Sequence, residues 1–150
     1  MLQRIDFVKS HTSAFNTMLQ MENYLSDISI GYKLKGLIKI RASMLNECAF
    51  CIEMHTSQAR AKGESEQRIY ALSAWRKSKL FNEEERIALA LTEEITLTNP
   101  QDLSDQTYQQ GLEQFGEKGF VEIIMQITAI NAWNRIAIAT RMEKAQMENR

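Results

Sequence analysis

LIKIRASMLNECAFCIEMHTSQARAKGESEQRIYALSAWRKSKLFNEEERIALALTEEITL, from Leu37 to Leu97, reads as a succession of helices separated by short breaks. Leu34, Leu37, Ile38, Met44 and Leu45 recur at threes and fours, with Ile40 off the stripe, so a helix is expected from about Tyr32 to Leu45. Asn46 stands where a break or cap is natural. A second helix is expected from about Glu47 to Lys62, stopped by Gly63, because glycine just past a periodic run readily takes the left-handed C-terminal conformation. Ser65 opens a short helix bearing Ile69, Tyr70, Leu72 and Trp75. Asn82 before Glu83, Glu84 and Glu85 has the composition of a helix N-terminus, a capping side chain followed by acids at the positive end of the dipole, and this helix should reach about Thr96.

Outward from this run the pattern persists. Phe15, Met18, Leu19, Tyr24 and Leu25 mark a helix from Thr12 to about Ile28, with Met21 off its stripe. Asn99 and Pro100 end the helix before them, and Ser104 or Asp105 opens a short one. Val121 to Ile138 holds Ile123, Ile124, Met125, Ile127, Ile130, Trp133 and Ile136, apolar on so many sides that a buried central helix is expected. Arg141 to Arg150 reads as a charged tail directed into water. One proline and six glycines are poor material for the many turns of a β-fold. The expected fold is all-α, a bundle of about six to seven helices in one domain over 1–150.

Charge narrows the function classes. Lys and Arg number 18 against 19 Asp and Glu, so no long-range field selects nucleic acid or an anionic membrane. No stretch approaches the ~20 apolar residues of a membrane span, and Arg4, Asp6 and Lys9 interrupt any signal-like apolar segment, so a cytoplasmic location is expected. In that compartment a structural disulfide is improbable, and two cysteines spaced CxxC read as redox-active or metal-binding.

Those cysteines lie in ECAFCIEMH, Glu47 to His55. On one continuous helix, Cys48 and Cys51 share a face, His55 lies one turn beyond Cys51, and Glu47 faces Cys51 at i,i+4. Thiol chemistry needs such neighbours because the thiolate is the nucleophile, and a free thiol with a pKa of about 8.5 is mostly protonated at neutral pH. His55 can accept the Cys51 proton, and a helix N-terminus near Cys48 adds partial positive charge. The candidate catalytic residues are therefore Cys51, Cys48 and His55, with Glu47 as an added carboxylate. Two plainer readings compete: a pair of buried small hydrophobes, and a zinc site. Zinc wants four ligands, whereas Cys48, Cys51 and His55 offer three and His11 is distant in sequence, so neither metal nor cofactor is expected. Glu47 could equally be an ordinary solvent-facing acid, and Tyr70, Trp75 and Trp133 read as core before they read as pocket lining.

The CxxCxxxH motif with these flanks resembles the carboxymuconolactone decarboxylase superfamily, in its alkylhydroperoxidase D-like (AhpD-like) branch. The resemblance covers Leu37 to Leu97 almost throughout and returns at INAWNR, Ile130 to Arg135. It implies an all-helical AhpD-like bundle with the motif at the start of one helix, a homo-oligomer (trimer or hexamer), and thiol-dependent peroxidase or disulfide-reductase activity. The implied partners are a peroxide or disulfide substrate and a dithiol electron donor of lipoamide or thioredoxin type. It places the sulfenic-acid cysteine on Cys51, the partner thiol on Cys48 and the proton-relay histidine on His55. The pattern's relay glutamate, twelve residues before the first cysteine, falls on Gly36, and the residue before that cysteine, often glycine, is Glu47. Glu47 is the candidate substitute carboxylate. The alternative function is a non-enzymatic redox sensor or weakly active paralogue.

Overall fold

The computed structural model describes residues 4–100 and 102–144. All regular structure in these residues is helical: α1 (Phe7–Ser10), α2 (Thr12–Ser26), α3 (Tyr32–Leu45), α4 (Ala49–Ala61), α5 (Glu66–Ala71) with a 3-10 segment after it (Leu72–Lys77), α6 (Glu83–Thr96) and α7 (Asp105–Thr140). The all-α reading holds. Among the described residues no helix is long and apolar enough to cross a membrane.

The local signals act where the sequence puts them. At Asn82 the side chain accepts from the Glu85 amide while the Glu85 carboxylate accepts from the Asn82 amide, a reciprocal capping box that starts α6. Ser65 and Ser104 cap α5 and α7 through the amides of Arg68 and Thr107. Gly63, with φ of 89°, ends α4 in the left-handed region. His11 accepts from the Ala14 amide at the start of α2, which makes it a helix cap. α1, only four residues long, has too little periodicity to be read from sequence.

Three expectations change. Ile40, off the expected stripe of α3, is fully buried, because α3 is covered on two sides: Leu34 and Ile38 pack with Ile87, Leu91, Ile123 and Ile127, whereas Leu37 and Ile40 pack with Ile69, Leu72, Trp75 and Leu89. The short helix at Asp105 and the later apolar helix are limbs of one element, joined at Gly116, whose φ of 65° and ψ of 171° break the helical path. The second limb is not apolar all round. Ile123, Ile127 and Ile130 are buried, but Val121 and Ile138 are exposed, and the inner face also holds Glu122, Gln126 and Asn134. Residues 145–150 of the expected charged tail lie outside the described residues.

Candidate functional site

The turn that carries the cysteines is built by the end of α3. Asn46 is the C-cap, Glu47 takes a left-handed φ of 54°, the Cys48 amide donates to Ser43 O at 3.0 Å and the Glu47 amide donates to Met44 O at 3.2 Å. This paired bonding is a Schellman termination, with Glu47 at the position usually given to glycine. Asn46 Nδ2 anchors the turn to α7, donating to Asn131 Oδ1 and Asn134 Oδ1, each at 2.9 Å. Asn134 Nδ2 donates in turn to Ser43 Oγ at 3.1 Å. Both α7 asparagines belong to the INAWNR segment, whose structural task is to hold the cysteine turn.

One helix from Glu47 to Lys62 is therefore corrected: α4 starts at Ala49, with Cys48 as its N-cap. Glu47 terminates α3, is exposed, and has no i,i+4 relation to Cys51 within a helix. The solvent-facing reading of Glu47 fits. Cys51 and His55 remain one turn apart on α4, and Cys48 and Cys51 are joined as a disulfide with Cα atoms 5.3 Å apart. Both cysteines are 2% exposed, packed with Ala137 and Met142 and flanked by Phe7, Phe50 and Ile136. The α4 N-terminus has no side-chain cap, so its first-turn N–H groups present their partial positive charge beside Cys48.

His55 is 9% exposed. Burial, reinforced by the positive charge of Lys39, lowers its pKa from 6.5 to about 4, against a hydrogen bond with Gln58 that acts in the other direction. The imidazole is thus neutral at physiological pH. Nδ1 and Gln58 Oε1 are 3.1 Å apart, and with the amide oxygen accepting, Nδ1 carries the proton and Nε2 is free to accept one. Gln58, one turn beyond His55, was legible from helical phase and was missed.

Cys51, Met54 and His55 line a cavity of about 180 Å³ with Leu19 of α2 and Trp133 of α7. Glu22 and Lys39 also face it, contributed by α2 and α3. The Trp133 indole donates to Glu22 Oε1 at 2.9 Å. Nothing in the local pattern around the cysteines announces either charge. Of the aromatics read mainly as core, Trp75 is buried in the core, Trp133 lines the cysteine cavity, and Tyr70 is exposed. Gly36 of α3 lines a neighbouring cavity that also reaches His55; a Cβ there would meet only Ala59 Cβ, at 3.9 Å.

The carboxymuconolactone decarboxylase family model matches residues 11–94, a span that includes α2, α3, the cysteine turn and α4. The chain belongs to the carboxymuconolactone decarboxylase family. It is 43% identical to the uncharacterized protein YdfG of Bacillus subtilis (strain 168) over 139 residues, 93% of this chain and 95% of YdfG. The crystal structure of ATU0492 from Agrobacterium tumefaciens, a protein of unknown function with a proposed antioxidant-defence designation, AhpD, superposes with a TM-score of 0.91 at 35% identity. It covers 95% of this chain and 97% of ATU0492. The debrominase Bmp8, in complex with 2,3,4-tribromopyrrole, shares the fold with a TM-score of 0.81 at 18% identity, over 95% of this chain and 79% of its own. The family's AhpD-like helical fold is thus the fold of this chain.

Proposed function

We propose that this protein is a thiol-disulfide redox enzyme, a peroxidase or disulfide reductase of antioxidant type, with Cys51 as the attacking sulfur, Cys48 as the resolving sulfur and His55 as the proton carrier. The observation that carries the reading is the pairing of two cysteines at a helix N-terminus with a neutral, oriented imidazole one turn along, on the wall of a cavity. Its alternative as two inert buried hydrophobes leaves that imidazole without a purpose.

In the reduced protein, Nε2 of His55 accepts the Cys51 proton and the thiolate attacks the distal oxygen of a hydroperoxide. The S–O bond forms, the O–O bond breaks, and the alkoxide takes the proton back from the imidazolium and leaves as an alcohol. The Cys48 thiol then attacks the sulfenic sulfur, releasing water and forming the Cys48–Cys51 disulfide. A dithiol donor reduces that disulfide by two exchange steps and is itself oxidised to a disulfide. His55 is a weak base, so activation also leans on the α4 N-terminus. A dithiol donor calls for a reducing compartment, which is consistent with the cytoplasm, and the exposed Tyr24, Tyr108, Val121 and Ile138 side chains offer surface for a homo-oligomer.

Steady-state reduction of cumene hydroperoxide with excess dihydrolipoamide tests this. The wild type turns over many times, Cys51→Ser falls to background, and Cys48→Ser stops with a sulfenic acid on Cys51 that a dimedone reagent traps. Consumption of one peroxide per protein followed by arrest, with donor in excess, means a sensor and ends the enzyme reading.

A further inference from the structure

A second cavity, of about 370 Å³, shares His55 and Gln58 with the cysteine cavity and is lined by several lysines. Its size falls within the range of small-molecule sites. Lys33, Lys35, Lys39 and Lys62 line it, against Glu22 and Glu64. Glu64 is engaged by Arg68 at 2.9 Å, and Glu22 accepts from Trp133. Among the described residues none of these four lysines forms an ion pair: Lys35 donates to Leu25 O at 2.9 Å, and Lys62 lies over the Tyr32 ring. The excess positive charge is felt locally. Burial lowers the pKa of Lys39, Glu22 opposes this, and Lys35 and Lys62 lower it further, while Lys39 itself helps to lower that of His55.

A second observation points to a ligand independently. Gln126 of α7 lines the same cavity, is 1% exposed, and among the described residues neither its amide nitrogen nor its amide oxygen has a hydrogen-bond partner. A buried amide with both ends unmatched is an unfavourable choice for a core position unless something polar meets it. The N-terminus of α3, begun by Gly31 without a side-chain cap, adds Tyr32 and Lys33 to the wall and partial positive charge with them. Leu25, Leu37 and Ala59 supply apolar surface.

We propose that this cavity binds the carboxylate of an amphipathic organic acid, and that the physiological substrate is a hydroperoxide bearing such a carboxylate. The lysines neutralise the charge, Gln126 Nε2 donates to one carboxylate oxygen while its Oε1 accepts from a lysine ammonium group, and the hydrocarbon lies along Leu25, Leu37 and Ala59. Glu22, Lys39, His55 and Gln58 line both cavities, so the two are neighbours, and a substrate anchored in one is to extend past the imidazole toward the sulfur of Cys51 in the other. The substrate assignment rests on the proposed peroxidase function, but the binding site does not.

The probe is octanoate, titrated calorimetrically into the oxidised full-length protein, with 1-octanol and inorganic phosphate as controls. Octanoate binds, and the other two bind at least ten-fold more weakly. Lys39→Met weakens octanoate about ten-fold or more, the scale of one lost charged hydrogen bond. Gln126→Leu removes the unmatched amide, so the protein melts at a higher temperature yet binds octanoate more weakly. Gly36→Glu, whose Cβ makes only an ordinary contact with Ala59 and whose carboxylate adds negative charge to the cavity wall, abolishes binding without lowering the melting temperature. Octanoate binding that equals that of octanol or phosphate, or that survives both Gln126→Leu and Gly36→Glu, overturns the site. With enzyme turning over, the free acid of a linoleate hydroperoxide shows a KM at least ten-fold below that of its methyl ester, and equal values overturn the substrate class. Octanoate binding in a protein that never turns over peroxide would fault the peroxidase reading alone, and turnover without octanoate binding would fault this site alone.

Discussion

Acidifying the oxidised protein from pH 7 to pH 4.5 should remove about 2.5 kcal/mol of folding stability through His55 alone. The buried imidazole titrates at about 4 in the folded chain, whereas in the unfolded chain it titrates at its ordinary 6.5. Between those values the unfolded state holds a proton that the folded state lacks, so stability rises with pH through the window and is lost as pH falls through it. Each pH unit inside the window is worth about 1.4 kcal/mol, and the descent from 6.5 to 4.5 crosses two of them, which partial protonation near each end of the window trims to about 2.5 kcal/mol. Glu93 and Glu94, whose pKa values are lowered, also lose stability in acid, so the measurement must be a difference. Urea unfolding of the wild type and His55→Gln, followed by tryptophan fluorescence at pH 7.0 and 4.5, provides it. The variant is less stable at pH 7 and loses about 2.5 kcal/mol less on acidification, a midpoint difference of about 1–2 M at ordinary urea slopes. Parallel losses in the two proteins would show that His55 is charged or solvated in the fold, and the neutral proton acceptor would disappear with it.

Three substitutions test other parts of the structure. Glu47→Gly relieves a left-handed residue at the end of α3 and should raise stability by up to about 1 kcal/mol while leaving peroxide turnover within two-fold; a large loss of turnover would restore Glu47 to the site. Gly111→Ala would put a Cβ 2.7 Å from Phe120 Cε2 and 3.0 Å from Leu91 Cδ1, so overpacking of about 1–3 kcal/mol should exceed the gain of up to about 1 kcal/mol in helix propensity, and thermal unfolding reads the difference. Glu93 overcomes the cost of its burial by accepting from Trp75, Arg41 and Arg76 at 2.6–2.9 Å, which hold its carboxyl below the usual range. Glu93→Gln should cost about 2–3 kcal/mol at pH 7, measured by urea unfolding, with a smaller difference in acid as the wild-type carboxylate protonates.

Helix boundaries followed from local chemistry. The Asn82 box, the Ser65 and Ser104 caps and Gly63 act within a few residues of chain, and each stands where the one-dimensional pattern places it. The CxxC spacing and a histidine one turn on were equally local, so Cys48, Cys51 and His55 were legible as candidates before any coordinates. The helix start expected at Glu47 was misplaced, and with it the i,i+4 relation to Cys51, which holds only inside a helix. Whether a residue ends one helix or starts the next depends on how the chain turns, and here Asn46 is pinned by Asn131 and Asn134 from the far end of the sequence.

The amino-acid order by itself determined the helical class, the extents of α3 and α6, the start of α5, and the thiol-imidazole pair, because capping and periodicity are short-range interactions. Only tertiary structure decided that α3 is buried on two sides, that Glu22 and Lys39 flank the imidazole, and that Gln126 lines a lysine-rich cavity beside it. Those side chains come from α2, α3 and α7, and their meeting, like the charge that Lys39 imposes on His55, depends on distances through space, which no spacing along the chain encodes.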